Sequence, residues 1–268
     1  MYKLLMLLKS LYIKLSKKIG FIIILRDERN SIHSNELKKF KTLTGTYYLP
    51  KYAYQDVIRR EIIKNRVFDQ NIFDLGKKYI KPNSSIIDAG ANYGQMSILF
   101  SKVYSDTIVY SFEASEYIFN ILEKNIKMNS ENIISFNYAL SDQNEEQYLD
   151  EPDLSKIGTY GALNIKINQQ NKKVNKKKIQ FRKIDEIEFK KKVSLMKIDV
   201  QGWDLKVLNG AIKTIEKNRM PIIFEYENIF EKEMNYSFDD FVIFFNNLNY
   251  KFKTVDNNNF LVLPKEYK

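Results

Sequence analysis

Ser84-Ser-Ile-Ile-Asp88-Ala-Gly90-Ala-Asn92-Tyr-Gly94-Gln-Met-Ser-Ile-Leu-Phe100 reads as a short strand, a glycine-punctuated turn and a helix. Ile86 and Ile87 are β-branched and run into Asp88, as in a strand buried in a parallel sheet. Gly90 and Gly94 are two of only nine glycines in 268 residues, so their clustering carries weight. Beyond them Met96, Leu99, Phe100 and Val103 recur at i, i+3, i+4 and i+7, one face of a helix. A strand that feeds a helix through such a turn brings backbone N–H groups and a helix N-terminus toward a ligand.

The rest of the chain alternates around that unit. Helices are expected from Tyr54 (apolar Tyr54, Val57, Ile58, Ile62) and over Phe68–Tyr79, before the stop at Lys81-Pro82-Asn83. Thr107–Glu113 is a second strand, and Ser115 can N-cap a helix carrying Ile118, Phe119, Leu122 and Ile126. Ile133–Leu140, Ser194–Val200 and Pro221–Glu225 are the third, fourth and fifth strands, with a helix through Leu208, Ala211, Ile212 and Ile215 between the last two. Ser237 and Asp240 form a capping box before Phe238, Phe241, Val242 and Phe245, and a terminal hairpin turns at Asn257-Asn-Asn259. Residues 145–192 read as an irregular, polar, basic insertion. This alternation predicts an α/β fold, a doubly wound and mostly parallel sheet with one antiparallel C-terminal strand. The expected domain spans residues 46–268, preceded by an extension and polar linker over residues 1–45.

Composition removes several chemistries. There is no Cys, which excludes thiolate metal sites and Cys nucleophiles and fits a reducing compartment such as the cytoplasm. The lone His33 lies in a polar stretch, so neither a His-based zinc site nor a Ser-His-Asp triad can be assembled. The net charge is +10, but residues 1–41 hold ten Lys/Arg against three Asp/Glu, and residues 165–192 hold eleven against three. These two segments together exceed the charge of the whole chain, so the remaining body is mildly acidic and no groove-wide basic surface for nucleic acid is indicated. In residues 1–19, Leu4, Leu7, Leu8, Leu11, Leu15 and Ile19 share a helical stripe interrupted by five lysines. That is too charged to cross a membrane; it suits an interfacial helix at the inner face of an anionic membrane, or an amphipathic helix packed on the domain.

Ligands of doubly wound sheets bind at the carboxyl ends of the strands. Those ends carry Asp88, Glu113, Asp142, Asp199 and Glu225. Glu113 lies 19 residues past Gly94, where a carboxylate can accept hydrogen bonds from both hydroxyls of an unphosphorylated ribose. A dinucleotide fingerprint would read G-x-G-x-x-G, whereas this turn reads D-x-G-x-N-x-G. An acid two residues before the first glycine repels a pyrophosphate and suits an ammonium or a sulfonium. S-Adenosylmethionine has both charges and no phosphate.

Ile87-Asp88-Ala-Gly90-Ala-Asn92-Tyr-Gly94, Phe112-Glu113, Ala139-Leu-Ser-Asp142 and Lys197-Ile-Asp199-Val-Gln-Gly202-Trp-Asp204-Leu-Lys-Val-Leu208-Asn-Gly210-Ala together resemble the FkbM family of S-adenosylmethionine-dependent methyltransferases. The likeness runs from about Tyr47 to Glu227. It implies a seven-stranded Rossmann-like sheet and methylation of a hydroxyl, often on a sugar or secondary metabolite. By position it implies that Asp88, Gly90, Asn92 and Gly94 hold the methionine moiety, Glu113 the ribose, and Ser141 and Asp142 the adenine edge. The chain departs from the family pattern at Ala114, where Pro is common. It departs again at Gln201, where Glu is frequent, which removes a second charge beside Asp199.

An alcohol acceptor has a high pKa and gains from a general base. Asp199, at the end of the central strand beside the turn, is the first candidate; its alternative role is to cap the following helix. Lys197 shares a strand face with Asp199 and needs a carboxylate partner, for which Asp88, Glu225 and Asp199 qualify. Glu225 is the candidate second base, or could complete an oxygen-ligand metal site with Asp199, although no metal motif requires the latter. Trp203 suits either a sugar face or the core. The leading expectation is an O-methyltransferase acting on a small-molecule or glycan acceptor. Against a nucleic-acid methyltransferase, the fourth strand ends Asp-Val-Gln-Gly and lacks the Asp/Asn-Pro-Pro-aromatic signature. A third reading is a non-catalytic module at a membrane surface that retains the fold.

Overall fold

The computed structural model describes residues 36–150 and 176–267. The basic amphipathic residues 1–19 lie outside them. In chain order the strands are β1 (Leu37–Lys41), β2 (Thr46–Pro50), β3 (Ser85–Ala89), β4 (Ile108–Phe112), β5 (Ile133–Phe136), β6 (Ala139–Leu140), β7 (Glu145–Asp150), β8 (Lys176–Arg182), β9 (Val193–Ile198), β10 (Ile222–Glu225), β11 (Tyr250–Thr254) and β12 (Asn259–Pro264). The helices are α1 (Val57–Ile63), α2 (Gln70–Gly76), α3 (Gln95–Ser101), α4 (Glu116–Asn129), α5 (Asp204–Asn209), α6 (Ile212–Asn218), α7 (Glu231–Met234) and α8 (Phe238–Asn247).

Seven strands form one sheet in the order β11-β12-β10-β9-β3-β4-β5. All run parallel except β12, which is antiparallel to both β10 and β11. This is the mostly parallel, Rossmann-like sheet that the alternation predicts. Its central strands are apolar on both faces because helices cover both. Ile86, Val109, Leu195 and Ile223 face one core with Ile98, Phe100 and Leu122. Ile87, Tyr110, Met196, Ile198 and Phe224 face the other with Val207, Ile215 and Phe241. Alternation along each strand sorts the two sets.

Several local expectations need correction. The stretch read as linker contains β1, which pairs antiparallel with β2 from Leu37↔Pro50 to Lys41↔Thr46. Its lysines point outward while Leu37 and Phe40 pack on the core, so a Lys-rich segment is still half of a hairpin. The third strand is two. β5 stays in the main sheet, whereas β6 leaves it and pairs in parallel with β8. The basic insertion is therefore not wholly irregular. β7 and β8 form an antiparallel pair, and with β6 they make a three-stranded sheet anchored by buried Phe181. The helix expected to run to Ile215 breaks at Gly210–Ala211 into α5 and α6, which leaves Ile212 facing solvent. Among the described residues no helix is long and apolar enough to cross a membrane.

Candidate active site

Sheet register builds the centre of the site. Asp88 at the end of β3 is level with Lys197 of β9 on one side and Ser111 of β4 on the other. Ser97 of α3 reaches down onto this row: its Oγ donates to Asp88 Oδ2 at 2.5 Å and accepts from Ser111 Oγ at 2.7 Å. Lys197 Nζ lies 3.6 Å from Asp88 Oδ1 and 3.3 Å from Asp199 Oδ2. A lysine only 7% exposed persists because both carboxylates compensate it. Burial works against its charge, but Asp199, Asp88 and Asp69 outweigh that and raise its pKa above the ordinary lysine value. Of the three partners expected for Lys197, the ion pairs go to Asp88 and Asp199, not Glu225.

The turn above this row is fixed by its glycines. Gly90 has φ +82°, and a Cβ there would stand 1.9 Å from the Asp199 carbonyl oxygen, so only glycine lets the turn touch the end of β9. At Gly94 (φ +87°) a Cβ would stand 2.5 Å from Leu122 Cδ1 of α4. Between them Asn92 also adopts a left-handed conformation and presents its N–H to Glu113 Oε2 at 3.0 Å. The other oxygen, Glu113 Oε1, accepts from Ser115 N–H at 2.9 Å. Burial pushes the Glu113 carboxyl up to about 7, against the pull of these hydrogen bonds.

An open cleft of about 840 Å³ lies over the turn, walled by Asn92, Glu113, Tyr138, Leu140, Phe181 and Trp203 among others. A smaller cavity of about 380 Å³ adjoins it, and Ile58, Gly90, Asn92 and Asp199 line both. Asp69, Phe68, Met96 and Lys197 belong to the smaller one.

Asp199 stands at the junction, with two further acids, Glu225 and Asp204, behind the walls. Gln201 Nε2 lies 3.3 Å from Asp199 Oδ1 and 3.3 Å from Glu225 Oε2, bridging the ends of β9 and β10. Burial opposes ionisation of Asp199, but Lys197 and the hydrogen bonds of Glu225, Lys197 and Gln201 hold its pKa below the usual aspartate value. Glu225 moves the other way: burial and then the Asp199 charge push it up to about 9. Asp204, at the start of α5 and buried, is pushed up to about 8 by burial and by Asp199. Asp199 is thus held toward its ionised form, and Glu225 and Asp204 toward their neutral forms. Among the described residues no set of three or more His, Asp or Glu side chains could hold a metal ion.

The expected residues are not all placed alike. Gly90, Asn92, Glu113, Lys197 and Asp199 line the two cavities, and Glu225 reaches them through Gln201. Asp88 and Gly94 support the turn from beneath and line neither. Ser141 and Asp142 are also absent from both walls. Ser141 is buried, its N–H donates to the Arg182 carbonyl, and its own carbonyl abuts Gly210. Tyr138, Ala139 and Leu140 stand at the cleft instead, because the chain has already turned off into the small sheet. Trp203 is buried against Phe181, with centroids 5.1 Å apart, which favours its packing role. Asp69, Tyr138 and Phe181 also line these cavities and belong to no motif in the sequence. Only Phe181 left a signal there, its two-residue alternation with Ile179.

A model of the methyltransferase FkbM domain family matches residues 88–252, more than half of the chain. No curated protein matches the chain. Among solved structures, it is similar to methyltransferase FkbM from Methylobacillus flagellatus KT at 14% identity and TM-score 0.43, over 71% of this chain and 50% of that one. Wild-type Trm5b from Pyrococcus abyssi is similar at 13% identity and TM-score 0.45, over 84% and 54%. Precorrin-6y C5,15-methyltransferase from Geobacter metallireducens GS-15 is similar at 9% identity and TM-score 0.42, over 73% and 89%. The chain thus spans about half the length of the first two. Likeness at this distance carries nothing about the acceptor.

Proposed function

The chain belongs to the FkbM family of S-adenosylmethionine-dependent methyltransferases, and on that premise we propose that it methylates a hydroxyl group, that of a sugar in a glycan, lipid-linked saccharide or glycosylated metabolite. The observation that carries the reading is the Asp199–Gln201–Glu225 group at the junction of the two cavities.

The residues fit the cofactor. The two cavities are lined by three carboxylates, Glu113, Asp69 and Asp199, and by one cation, Lys197, already paired. That lining suits a positively charged ligand without phosphate. Glu113 would face the ribose, the turn from Gly90 to Asn92 the methionine moiety, and Tyr138 to Leu140 the adenine. When bound, S-adenosylmethionine supplies a methyl group on a sulfonium. Asp199 would accept a hydrogen bond from the acceptor hydroxyl and take its proton as the O–CH3 bond forms and the S–CH3 bond breaks, the neutral thioether S-adenosylhomocysteine being the leaving group. A weak base suffices, because the oxygen becomes strongly acidic only as it gains the methyl group. Lys197 keeps Asp199 ionised and acts through it, as a positioning residue. Gln201 holds Glu225 against Asp199, and the protonated acid there helps Lys197 keep Asp199 ionised.

The hydroxyl acceptor is supported by this carboxylate group and by the strand end Asp199-Val-Gln-Gly202; the sugar is supported by the family resemblance. The basic stripe of residues 1–19 suits a lipid-linked acceptor at the cytoplasmic face of a membrane. Asp199→Asn should keep S-adenosylmethionine affinity within about twofold and lose on the order of 100-fold or more in turnover. Calorimetry and transfer of labelled methyl to fractionated glycans and lipid-linked sugars measure the two. Undiminished turnover in the variant overturns the assignment.

A further inference from the structure

Asp88 carries the motif, yet its carboxylate is enclosed inside the protein, its Oδ1 without a hydrogen bond. It is fully buried, Ser97 occupies Oδ2, Lys197 lies beside Oδ1, and it lines neither cavity. A different acid faces the smaller cavity. Asp69 sits at the N-cap of α2, where an aspartate ordinarily accepts from the backbone amides of the first turn. Here its side chain makes no such bond, and the Ile72 and Phe73 amides go to its backbone carbonyl. No hydrogen bond of the Asp69 carboxylate occurs among the described residues.

The loop that carries Asp69 is held by the turn itself. Gln95, the residue after Gly94, is buried and accepts from Phe68 N–H at 2.9 Å while its Nε2 donates to the Arg66 carbonyl at 2.9 Å. Asp69 is left-handed, at φ 55° and ψ 51°, unlike the extended backbone of an ordinary N-cap. The clamp and the conformation together put an unused carboxylate in a cavity whose one cation, Lys197, is already neutralised by Asp88 and Asp199.

We propose that Asp69 is the residue that binds the α-ammonium of the cofactor's methionine moiety, and that Asp88 acts only indirectly, by positioning Lys197 beneath it. This rests on S-adenosylmethionine being the ligand. Burial, the largest influence on Asp69, pushes its carboxyl up to about 6, so it is mostly ionised at neutral pH and available to an ammonium.

Calorimetry on the full chain with three nucleosides tests this. S-Adenosylhomocysteine carries the ammonium and the carboxylate, decarboxylated S-adenosylmethionine carries the amine alone, and methylthioadenosine carries neither. Asp69→Asn keeps a residue that tolerates the left-handed conformation. It should weaken the first two ligands by about tenfold, the worth of a charge-assisted hydrogen bond, and leave methylthioadenosine within about twofold. Equal loss on all three, no loss on the first, or a loss confined to the ligand with the carboxylate overturns the assignment. Failure of the unaltered protein to bind any of the three overturns instead the cofactor reading on which it rests.

Discussion

Glu113 shows how one residue can serve the fold and the ligand with the same atoms. Its two oxygens already accept from Asn92 and Ser115, which ties the turn to the end of β4, and a carboxylate has lone pairs to spare for hydroxyls. Glu113→Ala would remove both functions at once, leaving two backbone donors without their acceptor. Glu113→Gln is the cleaner probe because it keeps the shape and removes the charge. It should weaken S-adenosylhomocysteine and methylthioadenosine alike, severalfold, since both present the ribose; a change confined to the former would remove Glu113 from the ribose. The ionised form is the better acceptor, and burial holds the carboxyl near 7 in the free protein. Affinity for methylthioadenosine should therefore rise between pH 6 and 8 in the unaltered protein and stay flat in Glu113→Gln. At this scale the sequence was legible in placement where a side chain follows a strand end: Glu113 and Asp199 both line the cavities. Asp69 was not legible, because its neighbours Lys197 and Asp199 come from a strand far downstream and no local pattern surrounds it. The placement of Ser141 and Asp142, which line neither cavity, was not legible for a related reason: they follow an apolar run, and the bend between β5 and β6 has no counterpart in that run.

Among the elements, β8 is the one whose role its composition hides most completely. Lys177, Lys178 and Arg182 dominate the segment, and Lys178 pairs with Glu146 on the neighbouring strand at 2.7 Å. Phe181 nevertheless faces inward, 1% exposed, against Trp203 and the cleft. Central strands such as β3 and β9 announce themselves as continuous apolar runs because both faces are covered, whereas β1 and β8 bury one face and read as charge. Through Phe181 the insertion thus contributes to the wall of the cleft. Phe181→Ala should destabilise the protein by about 3 kcal/mol or more, as expected when a buried aromatic leaves a cavity. It should also weaken methylthioadenosine, because Trp203 loses its support. Urea unfolding and calorimetry measure the two effects. A fall in stability with unchanged nucleoside affinity would show that the small sheet packs on the domain without shaping the cleft.

The whole molecule carries a consequence of gathering acids at one end of its sheet. Glu225, Asp204 and Glu113 have carboxyls held at about 9, about 8 and about 7, chiefly by burial. In the unfolded chain these groups ionise near pH 4. From there upward the folded state binds more protons than the unfolded one, so stability falls as pH rises through these values. The groups held low, Asp199, Asp256 and Glu266, act in the opposite sense but only under acid conditions, and the raised Lys197 titrates well above neutrality. Between pH 6 and 9 the acids held high therefore set the local slope. A second influence opposes them: the net charge of +10 at pH 7 shrinks as lysines begin to titrate, which relieves self-repulsion across the surface. That influence is common to the protein and its single-site variants, so the comparison isolates the site. Glu225→Gln removes the group held highest. The unfolding temperature of the ligand-free variant should fall less steeply from pH 6 to pH 9 than that of the unaltered protein, with the largest difference near pH 9. Parallel curves for the two proteins would mean that Glu225 is ionised throughout and that Asp199 has no neutral acid beside it to donate a hydrogen bond.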